Sequence, residues 1–268
     1  MTSVIHWPRK YNLIGVGVSA TTYSESLALV LHAAKSGIPA CVTHLAVHGL
    51  MLASRDHGLK TTLEGFQIVA PDGMPVKVGL NLIHRTRLPD RVYGPQLMQL
   101  TCAASAAEGI GVYLYGSHPH VVTALEQRLL GQHPGLRVVG SQPSAFRPLS
   151  REEDDRLVAQ VNESGAGILF LGLGCPLQER FAYEHRGRVR AVQICVGAAF
   201  DFHSGNKRMA PHWMQQHSLE WLFRLSQEPR RLWRRYLLLN TAFLCKSLLQ
   251  WTRLTRYDRE GLPPRRDL

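Results

Sequence analysis

The sequence predicts a Rossmann-like α/β fold: a parallel sheet sandwiched by helices, with a helical appendage at the C-terminal end. Three observations carry this expectation. Short apolar runs alternate with longer stretches of helical period from residue 11 to residue 197, the pattern of a parallel sheet covered on both faces. Beyond about residue 205 the strand pattern stops and an arginine-rich helical stretch follows. The 268 residues bear a formal charge of +11, and residues 201–268 hold 13 Lys/Arg against 6 Asp/Glu.

Taken in order, "YNLIGVGV" at 11–18 reads as the first strand. "TTYSESLALVLHAAKSG" follows, with a capping-box signature from Thr22 to Glu25, apolar residues at helical spacing and Gly37 as a stop. "PACVTH" is the second strand, 46–55 a helix, and "FQIVA" a third strand ending at Pro71. "IGVYLYG" then 119–131, "LRVVG" then 151–164, and "GILFLGLG" then 176–185 repeat the strand–helix unit, before a last strand, "AVQICVG". The acidic run "REEDD" at 151–155 fits a solvated helix start, where the helix dipole favours carboxylates. Ser218 is placed to cap a helix ending near Glu228, and Pro229 suits the first turn of the next. In that next helix Leu232, Trp233, Tyr236, Leu237, Phe243, Leu244 and Leu248 recur every three or four residues as one apolar stripe. These signals divide the chain into a core at 1–205 and a basic appendage at 206–268, whose last ten or so residues are expected to be disordered.

The five cysteines are scattered with no CxxC pair, which reads as reduced thiols in the cytoplasm. The N-terminus lacks the layout of a signal peptide. The longest apolar run, Leu237 to Leu249, is interrupted by Asn240, Thr241 and Lys246, short of the ~20 residues of a membrane span. The basic excess points to polyanionic partners: nucleic acid, anionic lipid or phosphorylated substrates.

Ligands of open α/β sheets bind at the carboxyl ends of the strands, so the residues there are the candidates. Asp72 follows the third strand in "APDGMP" and fits a general base, or an Asx-turn or helix cap. Thr43, at the end of "CVTH", fits a substrate hydrogen bond or a cap. Gly116 and Ser117 in "YLYGSHP", and Gly174 and Gln178 in "LGLGCPLQE", stand at helix starts, where unused N–H groups favour anions. Together these turns suit a phosphate ligand of nucleotide size. "GVGVSA" lacks the third glycine of a dinucleotide fingerprint, and no GxxxxGK[ST] loop, Asp-x-Asp or zinc-spaced histidine set occurs. No cofactor and no metal is therefore expected.

Residues 196–237, "VGAAFDFHSGNKRMAPHWMQQHSLEWLFRLSQEPRRLWRRYL", carry a more specific signal. They resemble the WecG/TagA/CpsF family of bacterial glycosyltransferases, glycosyltransferase family 26, in a glycine-rich strand end, Phe-Asp-Phe, Ala-Pro-x-Trp-Met, Glu-Trp-Leu-x-Arg and Glu-Pro-x-Arg. Met209 departs from the pattern by standing between Arg208 and Ala210. "PDGMPV" at 71–76, "RVYGPQLM" at 91–98 and "GLGCPLQE" at 172–179 extend the likeness, which covers about residues 11–245. The resemblance implies inverting, metal-independent transfer of a hexose from a UDP-sugar to a polyprenyl-diphosphate-linked sugar. It implies Asp72 as general base, Thr43 as an active-site threonine, Arg91 and Gln178 as polar substrate contacts, and Arg224, Arg231 and Arg234 as clamps on diphosphate. The family's Thr-x-Asn reads here as "THL", with Leu45 in place of the asparagine. That departure motivates an alternative: a nucleotide-sugar-binding or regulatory protein with impaired catalysis.

A basic helix with aromatics also suits nucleic acid, whose binding would be strongly salt-dependent. The apolar stripe favours an interfacial helix instead. The expected partners are thus a UDP-sugar, a polyprenyl-diphosphate-linked acceptor and an anionic membrane surface at the cytoplasmic face. Nucleic acid is not expected, and a homo-oligomer is allowed.

Overall fold

The computed structural model describes residues 5–211, 213, 214 and 219–257, with residues 231, 232 and 234–236 described by backbone alone. Ser218, expected to cap a helix, and the last eleven residues lie outside the described residues.

The predicted α/β architecture is present. Six parallel strands form one sheet in the order β4-β3-β8-β7-β5-β6. In chain order they are β3 (Cys41–Leu45), β4 (Ile68–Pro71), β5 (Gly111–Gly116), β6 (Arg137–Gln142), β7 (Ile168–Gly172) and β8 (Val192–Cys195). Apolar residues alternate between two cores, as the two-residue period of a strand requires. Leu169 and Leu171 face one core and Ile168 and Phe170 the other. On the second face lie α1 (Tyr23–Lys35), α5 (Gly94–Glu108), α6 (Pro119–Gln132) and the short α9 (Ala199–His203). On the first lie α2 (Val47–Ala53), α3 (His57–Glu64), α4 (Met74–His84), α7 (Arg151–Glu163) and α8 (Leu177–His185).

The run 11–18, expected as one strand of the sheet, is instead a separate antiparallel hairpin of β1 (Lys10–Leu13) and β2 (Val16–Ser19). The chain reverses at Ile14 and Gly15, both with positive φ, and the Gly15 N–H donates to Asn12 Oδ1 at 2.8 Å. Apolar alternation cannot reveal this reversal, because both arms bury the same residue types. Lys10 on β1 is buried. Its ammonium donates to the carbonyls of Leu63, Glu64 and Phe66 at 2.9, 3.1 and 2.5 Å, closing the C-terminal end of α3. Burial lowers its pKa to about 8.

Four of the described helices escaped the sequence reading: α3, α4, α5 and the short α9. In α5 the stretch "TCAASAAE" is built of small residues, so no apolar stripe marks its buried face. The Thr22 signature is half realised, its side chain accepting from the Glu25 N–H. The reciprocal capping box belongs to Ser150 and Glu153. The "REEDD" carboxylates are not all solvated, since Asp154 accepts from His185 Nε2 at 2.7 Å and pairs with Arg188.

After the sheet come α10 (Glu220–Gln227), α11 (Pro229–Arg234), a π-helical segment Arg235–Asn240 and α12 (Thr241–Trp251). The single stripe predicted along Leu232–Leu248 is split. Phe243 is buried in the core, whereas Leu237, Leu244 and Leu248 are exposed. The division falls within α12 itself, which turns Phe243 to the core and Leu244 and Leu248 outward. Two contacts seat α12 on the core. Phe243 packs over α4, where a Cβ added at Gly79 would stand 3.5 Å from its ring. Gln250 bridges the hairpin turn, accepting from the Ile14 N–H and donating to the Asn12 carbonyl, both at 2.8 Å.

Phe243→Ala empties an aromatic-sized volume at the only ring α12 buries among the described residues. A loss of about 3–5 kcal/mol is expected in denaturant unfolding. A variant as stable as the parent would show that α12 does not dock on the core in solution.

Candidate functional site

The C-terminal end of β4 opens into a cavity of about 150 Å³. Asp72, Arg91, Tyr93, Glu220, Trp221 and Arg224 line it, together with the start of α2, the start of α4 and Leu239–Asn240. Core and C-terminal helices therefore share its walls.

Asp72 is fixed by backbone pairing on both sides. Its own N–H donates to the Leu45 carbonyl at 3.2 Å, and the neighbouring Pro71 carbonyl accepts from Val92 at 2.8 Å. The strand stops because proline at 71 is followed by the turn that starts α4, with Pro75 in its first turn. Burial raises the Asp72 carboxyl to about 6, against the opposing pull of Arg91 and Arg224; Glu220 adds to the rise. A carboxylate poised near neutrality beside cations can accept a proton from a hydroxyl.

Arg91 does more than face a ligand. Its guanidinium grips the Glu220 carboxylate through two bonds, at 2.9 and 2.6 Å, and reaches the Asp72 carbonyl at 3.4 Å. It also lies 4.6 Å above the Tyr93 ring. Both charged side chains are nearly buried, at 12% and 11% exposure, so this pair fastens α10 over the end of β4. Arg224, one turn further along α10, donates to the Tyr93 hydroxyl at 3.3 Å and sits over Phe202. Burial drives the Tyr93 phenol above its ordinary range, keeping it neutral.

Of the predicted residues, the cavity gathers Asp72, Arg91 and Arg224. Five others are placed off its walls. Thr43 is fully buried, and its hydroxyl donates to Glu179 Oε1 at 2.9 Å, so it is not open to a ligand here. Gln178 is buried too; its amide donates to the same oxygen at 3.0 Å, and its carbonyl accepts from the Gly174 N–H at 3.3 Å. The Ser117 N–H, expected unused at a helix start, donates to the Gly172 carbonyl at 3.1 Å. Gly116 serves close approach: a Cβ there would fall 2.6 Å from the Gly172 backbone. Arg231 and Arg234 belong to α11, and their side chains lie outside the described residues. Leu45 is buried against Gly49, in the core rather than on a cavity wall.

Sequence reasoning passed over Glu220, Tyr93 and Trp221, although each stands inside a quoted block, "RVYGPQLM" or "SLEWLFR". The available signal was Glu220 itself, one of two acids in an arginine-rich segment. Among the described residues no three His, Cys, Asp or Glu side chains group as metal ligands, and no helix is long and apolar enough to cross a membrane.

The raised Asp72 carboxyl has a thermodynamic signature. The folded chain keeps that proton to about pH 6, whereas an unfolded aspartate releases it near 3.8. Its stabilising contribution is complete below 3.8 and is lost as pH rises through 6. Asp72→Asn cannot ionise, so its melting temperature relative to the parent should be higher at pH 8 than at pH 4. A difference that does not change with pH would refute the raised value.

Comparison with known proteins gives two likenesses. The profile described as Glycosyl transferase WecG/TagA/CpsF family matches residues 11–257. The chain is also similar to N-acetylglucosaminyldiphosphoundecaprenol N-acetyl-beta-D-mannosaminyltransferase of Bacillus subtilis (strain 168), at 29% identity over 187 residues, or 69% of this chain and 70% of that one.

Proposed function

The chain belongs to the WecG/TagA/CpsF family of glycosyl transferases, and from that membership we propose that it transfers a hexose from a UDP-sugar to a polyprenyl-diphosphate-linked sugar. In this reading it works without a metal, inverts the anomeric centre, and serves cell-surface polysaccharide assembly at the cytoplasmic face of the membrane. The observation that carries the proposal is Asp72, with its carboxyl raised to about 6, in a cavity whose other charged walls are Arg91, Arg224 and Glu220.

Asp72 takes the proton of the acceptor hydroxyl as that oxygen forms its bond to the anomeric carbon. The bond from that carbon to the β-phosphate oxygen breaks on the opposite face, and UDP departs with the electron pair. Arg224, with Arg231 and Arg234 from the next helix, neutralises diphosphate charge, since guanidinium forks suit phosphate oxygens. Arg91 contributes by holding α10, and through it Arg224, at the site. Thr43 and Gln178 act one layer below, through Glu179, while Gly116, Ser117 and Gly174 shape the sheet edge where the nucleotide lies. A cavity of about 150 Å³ is below the several hundred Å³ of a pocket that encloses a drug-sized ligand. It accommodates the reacting sugar, with nucleotide and lipid extending outward. The chain boundary near 205 then separates a catalytic core from an appendage that both completes the site and meets the membrane. Because Leu45 lies in the core, its presence favours no second reading.

The Bacillus subtilis relative's name specifies a mannosaminyl donor group and an N-acetylglucosaminyl-diphosphoundecaprenol acceptor, so that pair heads the panel to be tested. UDP-N-acetylmannosamine, its uronic acid and UDP-glucose are to be offered with a short-chain lipid-diphosphate acceptor, and UDP release measured. With the productive donor, Asp72→Asn is expected to lower kcat about 10²–10⁴-fold. EDTA should leave the rate unchanged, and kcat/KM of the parent should fall as pH drops below about 6. Equal turnover by parent and variant removes Asp72 as the base.

A further inference from the structure

A second cavity lies at the far end of α4 from Asp72. It is the larger of the two, about 990 Å³, and is walled by the ends of α4 and α12 and by the segment that follows α12. His84, Arg85, Arg253 and Arg256 all line it, and among its described walls there is no Asp or Glu. The three arginines are exposed, and none makes an ion pair among the described residues. The ends of two helices bring about half a negative charge each, which three guanidinium groups outweigh. Arg85 and Arg253 are held at φ of 57° and 61°, a backbone conformation that side chains disfavour. Strained residues of this kind cluster where a ligand is held.

The surface beside this cleft is apolar. On α4, Val78 and Leu82 are 51% and 48% exposed, and they share one helical stripe with Arg85. On α12, Leu244, Leu248 and Trp251 make a second stripe, each at least half exposed, that leads to Arg253. Both stripes reach the cleft, because Leu82 and Trp251 line it. Two apolar rows ending in cations match an anionic membrane surface in both of its layers.

We propose that this cleft binds the phosphate of an anionic phospholipid headgroup, with the exposed stripes of α4 and α12 set into the lipid beside it. The two helices run in the same direction, since both start at the catalytic cavity and end at the cleft. Ten residues of helix separate the two sites by about 15 Å. A headgroup held at one end would present the catalytic cavity to the same membrane plane, where a lipid-linked diphosphate travels. The inference rests on the membrane-face placement proposed above, though not on the identity of the transferred sugar.

The test compares the full chain with the triple variant Arg85→Gly, Arg253→Gly, Arg256→Ser. Glycine removes charge at 85 and 253 without adding backbone strain, and unfolding curves report whether the fold is kept. Triple Arg→Lys retains charge and controls for the substitutions themselves. Flotation is measured on phosphatidylglycerol-containing vesicles and on pure phosphatidylcholine vesicles. Each basic side chain near an anionic surface contributes roughly a fivefold change in binding, so loss of three should weaken binding to phosphatidylglycerol about a hundredfold. Binding to phosphatidylcholine and turnover with the short-chain acceptor should be unaffected, and triple Arg→Lys should still float. Equal flotation of parent and triple glycine/serine variant overturns the proposal. So does an inorganic phosphate effect on melting that the triple variant loses while its flotation persists, which would assign the cleft to a soluble anion. A parent that floats yet turns over no donor leaves the headgroup site standing and removes the catalytic reading instead.

Discussion

The ion pair between Arg91 and Glu220 is the contact on which the site depends. It joins a loop of the core to α10, and both partners are almost withdrawn from water. Desolvating two charges is costly, and the two short, paired bonds offset it, aided by the contacts of Arg91 with the Asp72 carbonyl and the Tyr93 ring. Taking away either partner would leave a nearly buried charge uncompensated, a loss typically of about 3–5 kcal/mol. The pair also sets the electrostatics of Asp72. Arg91 pulls the carboxyl toward ionisation, Glu220 pushes it back, and burial decides the balance. The same bond that positions the helix thus tunes the acid–base group beneath it.

This dependence gives the C-terminal segment a place in the chemistry. Arg224 reaches Tyr93 only because α10 is held down one turn earlier by Glu220. A second, buried network runs from Thr43 through Glu179 to Gln178 and Gly174. Burial raises the Glu179 carboxyl, against the pull of these donors. The sheet contributes rigidity here: Gly116 lets β5 close up on β7 at their ends, Gly172 leaves room for the Phe200 ring, and the Ser117 N–H is spent on the closure.

The parallel sheet was legible because its buried strands are short apolar runs, two of them ending on glycine, at Gly116 and Gly172. Asp72 was legible for a related reason: proline on one side and glycine on the other isolate it in a turn. The hairpin was not, since Ile14 hides a reversal inside an apolar alternation. Helix α5 was not, since Thr101 and Ser105 face the core while Ala103 and Ala107 face solvent. Thr43 and Gln178 illustrate a different limit. Residue type shows that a side chain can hydrogen-bond but not that Glu179, far away in sequence from Thr43, takes the bond first. Glu220 was missed because an acid among arginines reads as solvated until a partner 129 residues earlier is found. The stripe along the last helices misled because residue type does not show which side of a helix meets the core: in α12 Phe243 does, and Leu244 and Leu248 do not.

Gln250 changes what "appendage" means for this chain. Its carboxamide supplies a donor and an acceptor to the bend at Asn12 and Ile14, doing for residues near the beginning what another stretch of peptide would do. Beginning and end are therefore stitched together, so shortening the protein at the apparent boundary would orphan main-chain groups and uncover Leu13 as well as removing a tail. Swapping these helices between relatives would succeed only when the N-terminal bend travels with them.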